Sequence, residues 1–229
     1  MRYLGGKTRI GRRIAEYIGE VDTYVEPFMG GLGVAPFVQA RRMILSDVHP
    51  GLAVLYLAWR DGWRPDHRVT EGEYWALKAA EYLPDPLTTF AGFGLSFSGN
   101  WFAGFARCAR GDDFQGAAER QLNRKVSSLP PDVRFLSSSY RDLVIPDGAV
   151  VYCDPPYAMT TRYRGTEPFD HRAFWGWARE LDGRCMVLVS EYVAPDDWEP
   201  ALTFEKTMSL RTKTGGREVR RDNVFMRRF

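Results

Sequence analysis

Ala149-Val150-Val151-Tyr152-Cys153-Asp154-Pro155-Pro156-Tyr157 is the stretch that decides how this chain folds. A short apolar run rich in β-formers reads as a strand buried on both faces. It stops at a carboxylate, two prolines and an aromatic ring. In open α/β sheets, ligands bind just outside the carboxyl ends of the strands. Asp154-Pro155-Pro156-Tyr157 therefore stands where chemistry is done, and its residue types suit one chemistry. An exocyclic amine on a flat ring is a poor nucleophile, because its lone pair is delocalised. Asp154 and the backbone carbonyl of Pro155 can accept the two amine hydrogens, and prearranged acceptors stabilise the charge that builds on that nitrogen. Pro155 and Pro156 fix the backbone and bring no N–H into the site. Tyr157 can stack on the ring and hold it in line with a methyl donor. Proline pairs also mark plain turns, so the motif needs company.

That company lies upstream. Thr23-Tyr24-Val25 is a strand that ends at Glu26-Pro27 and the turn Phe28-Met29-Gly30-Gly31-Leu32-Gly33. The pattern predicts a helix over Val34 to Ala40, then a second strand, Arg42 to Ser46, ending at Asp47. Strand, glycine-rich turn, helix, strand and acid open a nucleotide-binding α/β sheet. The glycines let backbone approach a ligand closely. The run is neither a Walker loop nor a GxGxxG fingerprint. Asp47 is placed to bind ribose hydroxyls. Ahead of this unit, Thr8 to Ile18 reads as a helix closed by Gly19, with Ile10, Ile14, Tyr17 and Ile18 at helical spacing. Before it stands Tyr3-Leu4-Gly5-Gly6-Lys7. Lys7 is suited to the carboxylate of an amino-acid-like cofactor, or is a solvated lysine in a loose terminus.

Downstream of the second strand the texture changes. From Trp59 to Val133 the apolar residues are largely aromatic. Tyr74 to Tyr82 reads as a helix stopped by Pro84 and Pro86, Ala91 to Gly104 as a loop, and Phe114 to Leu129 as a helix. The α/β pattern then resumes with a strand at Val133 to Leu136 and the strand Ala149 to Cys153. A helix over Phe169 to Leu181 follows, then strands at Cys185 to Ser190, Phe204 to Leu210 and Asn223 to Arg228. The organisation expected is 1–58 as the cofactor-binding part, 59–133 as an insertion, and 134–229 as the catalytic part.

Composition narrows the choice of function. The chain has 229 residues, enough for one full α/β domain with a small insertion, and a formal net charge of only +2. A nucleic-acid surface must come from local clustering of basic residues. Cys108, Cys153 and Cys185 are scattered, which suits a reducing compartment and offers no disulfide framework. His49, His67 and His171 are equally dispersed, so no metal is expected. Met1 to Lys7 is polar, unlike a signal peptide, and no apolar run is long enough to cross a bilayer.

Together these motifs resemble the DNA adenine N6-methyltransferases of the Dam type, the D12 class, in the alpha order of motifs. Arg2-Tyr3-Leu4-Gly5-Gly6-Lys7 resembles that family's N-terminal motif beside the methionine part of the cofactor. Tyr24 to Gly31 resembles its first cofactor motif, and Ser46-Asp47-Val48-His49-Pro50 the element that holds ribose and adenine. Tyr152 to Tyr157 resembles the catalytic motif. Val189-Ser190-Glu191-Tyr192 resembles a later strand-end motif that usually carries Asn where Glu191 stands. The resemblance implies a Rossmann-like S-adenosylmethionine-dependent methyltransferase sheet with a small, mainly helical target-recognition insertion. Its cofactor is S-adenosyl-L-methionine, held by Tyr3, Gly5, Gly6, Lys7, Glu26, Pro27, Phe28, Gly30, Gly31, Asp47, Val48, Ser139, Tyr140 and Asp154. Ser139 stands where the family often has an acid, so cofactor affinity is expected to differ.

The partner implied is double-stranded DNA, met by a cytoplasmic protein of a bacterium or a phage-infected cell, as a monomer or a dimer. The target adenine has to leave the helix to reach Asp154. Phe97, Ser98, Asn100 and Trp101 are expected to meet bases, and Arg107, Arg124 and Lys125 phosphates or guanine. Arg162 and Arg164, which follow the catalytic motif, are expected on a DNA-binding loop that closes over the flipped base. The aromatics also suit a small core, and the arginines an ordinary solvated face. RNA adenine and protein glutamine present a similar flat nitrogen, and an inactive nucleic-acid binder is a further alternative.

Overall fold

Val150–Cys153 forms a strand in which all the residues are buried, and its two sets of side chains enter different cores. Val150 and Tyr152 join one hydrophobic cluster with Tyr24, Met43, Leu45 and Leu188. Val151 and Cys153 join the other with Val25, Ile44, Val187 and Val189. Alternation across a pleated strand produces this split, so the sheet is covered on both faces. The computed structural model describes residues 1, 3, 5–80, 83–107, 113–157, 169–211 and 217–227, with the side chains of 206–220 excepted.

The strands are β1 (Glu20–Glu26), β2 (Gln39–Asp47), β3 (Asp132–Ser137), β4 (Val150–Cys153), β5 (Met186–Glu191), β6 (Trp198–Arg211) and β7 (Arg217–Arg227). They form one sheet in the order β3-β2-β1-β4-β5-β7-β6. The pairs from β3 to β5 are parallel, and β7 is antiparallel to both β5 and β6. The chain order reverses between β1 and β4, so the topological switch point lies at their carboxyl ends, Glu26 and Cys153.

The helices are α1 (Gly11–Ile18), α2 (Pro50–Arg60), α3 (Glu71–Ala79), α4 (Pro86–Thr89), α5 (Phe114–Ser127) and α6 (His171–Asp182). Helix α1 buries Ile14, Ala15 and Ile18, and stops at Gly19 with φ 74°, a backbone angle that favours glycine. Helices α3, α5 and α6 are each N-capped by a side chain, Thr70, Asp113 and Asp170 respectively.

Two local expectations are corrected. The helix expected over Val34 to Ala40 is a single 3-10 turn, Ala35–Phe37, and β2 already begins at Gln39. Pro36 suits only the first turn of a helix, and Val38, a β-branched residue, is already extended at φ -77° and ψ 133°. The loop expected over Ala91 to Gly104 instead begins as a π-helical turn, Phe90–Gly94, continuing α4, and contains a 3-10 turn at Phe97–Gly99. Gly92 permits it: a Cβ there would lie 2.4 Å from the Trp101 ring.

The aromatic middle stretch is not set apart from the sheet. Trp59, Tyr74, Phe90, Phe93 and Phe102 belong to the same buried cluster as Tyr24 and Leu45. The expected limits of the insertion fall within regular elements, the first inside α2 and the second inside β3. Among the described residues no helix is long and apolar enough to cross a membrane, and no group of three or more His, Cys, Asp or Glu converges as a metal site would need.

Candidate active site

The site is built from three strand ends and the N-terminal segment. The turn after β1 folds back on the chain start. A Cβ on Gly31 would lie 2.4 Å from Tyr3 Cβ, and one on Gly33 would lie 2.8 Å from the Lys7 backbone nitrogen. The close approach that these glycines allow is therefore used by Tyr3 and Lys7. Gly5, at φ 76°, turns the segment, and Gly6 N donates to the Tyr3 carbonyl at 3.1 Å. Lys7 is thereby delivered into the sheet's carboxyl edge with only 7% of its surface exposed, which removes the solvated-terminus alternative.

There Lys7 Nζ donates to Asp154 Oδ1 at 2.8 Å and lies 3.7 Å from Asp222 Oδ2. It also stands 4.5 Å from the centre of the Tyr157 ring. The Tyr157 hydroxyl donates to Asp222 Oδ1 at 2.6 Å, and its ring meets Tyr192 edge-on at 4.7 Å. Burial pushes the Asp154 carboxyl above the usual carboxylate range, and the Lys7 ammonium opposes that rise. Burial works against the Lys7 charge as well, but Asp154 and Asp222 outweigh it and raise the ammonium. The turn thus holds a half-buried carboxylate whose charge is supported chiefly by one lysine. Pro155 is buried behind it and Pro156 is exposed.

At the end of β2, Asp47 is buried and acts as a staple. Its Oδ2 accepts from Gly30 N at 3.0 Å and its Oδ1 from His49 N at 2.9 Å. Burial raises its carboxyl to about 6. The Tyr56 hydroxyl donates to the Gly30 carbonyl at 2.6 Å, fixing the turn from the other side. Asp47→Ala should leave two backbone donors without their acceptor, at a cost of about 1–3 kcal/mol for each one buried. A clearly lowered Tm is expected, with at least about tenfold weaker cofactor binding by calorimetry well below that Tm. Unchanged affinity would remove Asp47 from the cofactor site.

Glu26, at the end of β1, is wholly internal. Its Oε2 accepts from the Tyr24 hydroxyl at 3.1 Å and from Ala35 N at 3.2 Å. Burial, with some help from Asp154, lifts its carboxyl to about 8, so it holds a proton at neutral pH. In the unfolded chain a glutamate ionises near ~4.3. The folded state therefore binds the extra proton between those values. The stability from neutral Glu26 is complete below ~4.3 and lost as pH rises through about 8. Glu26→Gln mimics the protonated carboxyl and cannot ionise. Its Tm advantage over the parent protein should widen as pH rises from 5 toward about 8 and level off above that, by scanning fluorimetry; a gap that stays constant below pH 8 would contradict the burial argument.

The other expected cofactor residues lie around this core. Phe28 packs at 5.5 Å from Tyr140, and both meet Phe169 and Phe174. Pro27 is buried and Val48 is 74% exposed. Ser139 Oγ accepts from Arg141 N at 3.3 Å. S-adenosylmethionine presents an ammonium, a carboxylate, a ribose diol and a flat base. The donor set fits it: beyond its backbone amide bonds Asp47 keeps lone-pair capacity for a diol, Lys7 and Asp154 carry the charges an amino acid needs, and half-buried Phe28, backed by the buried Tyr140, offers an aromatic wall.

The residues expected to meet DNA are spread more widely. Phe97 is 68% exposed, and Ser98 beside it has φ 57°. Asn100 is half-buried, and its backbone N–H donates to the Phe97 carbonyl at 3.3 Å. Trp101 packs at 4.5 Å from His49 and 4.8 Å from Phe93. Arg107 is exposed and paired with Glu71, and Arg124 is exposed. Lys125 turns inward: Nζ donates to the Gly31 carbonyl and reaches Thr8 Oγ1 at 3.4 Å. Burial lowers its ammonium to about 8. Arg162 and Arg164 lie outside the described residues. Asp222 and Tyr192 were not anticipated as site residues. Asp222 carries no local signal, because its partners are far away in the chain.

The sheet order and the flanking helices make a Rossmann-like α/β fold with helical insertions, consistent with the fold of S-adenosylmethionine-dependent methyltransferases. Residues 3–84 match the family model described as D12 class N6 adenine-specific DNA methyltransferase. That stretch contains the Tyr3–Lys7 segment, the glycine turn and Asp47; the Asp154–Tyr157 turn lies beyond it. No curated protein matches the chain. Similar solved structures include a conserved hypothetical protein from Streptococcus pyogenes, 10% identical, with 94% of each chain covered and a TM-score of 0.40. Another is an rRNA methylase from Streptococcus thermophilus, 5% identical, covering 99% of this chain and 98% of that one, with a TM-score of 0.44.

Proposed function

We propose that this chain transfers the methyl group of S-adenosylmethionine to the N6 amine of an adenine flipped out of duplex DNA. The observation that carries the reading is the Asp154 carboxylate, set 2.8 Å from Lys7 at the carboxyl end of β4 and followed by Pro155, Pro156 and Tyr157. The match of residues 3–84 to a family acting on adenine in DNA supports the choice of acceptor.

The cofactor supplies an electrophilic methyl group on sulfur. Asp47 would hold its ribose, Lys7 its carboxylate, and Phe28 with Tyr140 its base. Asp154 and the Pro155 carbonyl accept the two N6 hydrogens, which pushes electron density onto the nitrogen as it attacks. Tyr157 stacks on the adenine and restricts it to the in-line approach. Transfer forms one N–C bond at adenine, breaks the bond from sulfur to the methyl group, and releases one N6 proton, for which the Asp154 carboxylate is the acceptor. The segment 59–133 is the target-recognition part in this reading. Phe97 at its exposed tip, with Asn100, would address the bases, and Arg107, Arg124, Arg162 and Arg164 the phosphates.

The test offers tritiated S-adenosylmethionine with unmethylated duplex DNA, and separately with RNA, and identifies the product nucleoside by mass spectrometry. N6-methyladenine in DNA is the expected result. Label in RNA only, or in neither polymer, would overturn the proposal.

A further inference from the structure

The antiparallel strand β7 runs past the end of β5 in a way that has a chemical consequence. Asn223 of β7 is in register with Glu191, the last residue of β5. The preceding residue, Asp222, therefore projects beyond the β5 end, onto the edge where the Asp154 turn lies. Its Oδ1 accepts the Tyr157 hydroxyl at 2.6 Å, and its Oδ2 lies 3.7 Å from Lys7 Nζ. Next to it, Asn223 Nδ2 donates to the Tyr192 carbonyl at 3.3 Å, while the Tyr192 ring stands edge-on to Tyr157. Tyr157 is thus gripped at its hydroxyl end by one β7 residue and flanked by a ring that the next β7 residue steadies.

We propose that Asp222 is a positioning residue of the methyl-transfer site, holding the Tyr157 ring in the plane on which the acceptor base stacks. This rests on the methyl-transfer reading above. A ring on a turn, fixed only at its Cα end, can swing about two side-chain torsions. A hydrogen bond at the far end removes that freedom, and displacement of a reacting group by about 1 Å costs up to about 100-fold in rate. Lys7 shares the same carboxylate, so one residue of β7 links the ring and the cation of the site.

The experiment compares Asp222→Ala, Asp222→Asn, Tyr157→Phe and the double variant Tyr157→Phe/Asp222→Ala in single-turnover transfer at saturating cofactor. Asp222→Ala and Tyr157→Phe should each slow transfer roughly tenfold. The double variant should be no slower than the slower single. Asp222→Asn keeps an acceptor for the hydroxyl and should recover most of the rate. Cofactor affinity should stay within about twofold of the parent protein. A second readout, amide hydrogen exchange at Tyr157, should accelerate at least about tenfold in Asp222→Ala. Parent-like rate and exchange in Asp222→Ala, additive losses in the double variant, or Asp222→Asn as slow as Asp222→Ala would each overturn the proposal. If the parent protein transfers nothing to DNA, the acceptor reading fails, and the exchange measurement alone decides the role of Asp222. If Asp222→Ala shows no cooperative melt, Asp222→Ser, too short to reach the hydroxyl, takes its place.

Discussion

Asp154→Asn should cut methyl transfer at saturating cofactor by about 10²–10³-fold, the usual loss when one preorganised transition-state partner is removed. The substitution keeps size and one acceptor oxygen but deletes the charge. An ionised carboxylate accepts at both oxygens, and here Oδ1 is already engaged by Lys7 Nζ at 2.8 Å. The other oxygen is the one left for an amine hydrogen. In the asparagine, one position becomes an NH2. If the NH2 faces the acceptor amine, donor meets donor; if it faces Lys7, an ammonium meets a donor inside a buried site. Either arrangement opposes the charge that develops on the attacking nitrogen. The loss should appear in the single-turnover rate at saturating cofactor and DNA, over and above any change in cofactor affinity, because the contact to the amine strengthens in the transition state. A variant with more than about a third of the parent rate would show that Asp154 does not polarise the acceptor.

How much of this was legible in the sequence depends on how local each signal is. The strand Ala149 to Cys153, the glycine turn after Val25 and the acid after Ser46 are contiguous patterns, and the structure puts all three strand ends at one edge of the sheet. The apolar residues after Val34 suit a helix face, but Pro36 and the extended Val38 limit the helix to one turn. Helix α2 escaped notice because Leu52, Ala53, Leu55, Tyr56 and Trp59 are all buried, and a helix apolar on most sides shows no amphipathic stripe. Lys125 was grouped with DNA-facing residues on charge alone. Its position on α5 instead puts Nζ on the Gly31 carbonyl, a contact that depends on how α5 packs against a turn 94 residues earlier. Asp222 lies 65 residues from Tyr157 and reaches it only because β7 inserts between β5 and β6. Sequence periodicity carries no information on such a pairing.

Lys7→Met should displace the acid limb of the pH–rate profile upward by at least about one unit and leave the enzyme slow at pH 7 but partly recovered near pH 9. Two carboxylates face Lys7, Asp154 at 2.8 Å and Asp222 at 3.7 Å. The lysine is what opposes burial at Asp154. Methionine fills a similar volume without charge, so the variant exposes Asp154 to desolvation and to its neighbour carboxylate, and both favour the protonated acid. A protonated Asp154 lacks the negative charge that draws on its amine hydrogen and cannot take up the released proton, so rate follows its ionised fraction. Each unit of upward shift costs about tenfold at a pH well below the new value, and the loss reverses as pH climbs past it. The direction is diagnostic. A lysine that served only to bind cofactor carboxylate would raise the cofactor KM equally at every pH and leave the limb in place. Lys7→Arg restores the charge in a space where Lys7 is only 7% exposed, so its limb should return toward the parent position even if crowding lowers the plateau. Profiles measured at saturating cofactor separate the two roles, and coincident limbs for the parent protein and Lys7→Met would show that Asp154 keeps its charge without the lysine.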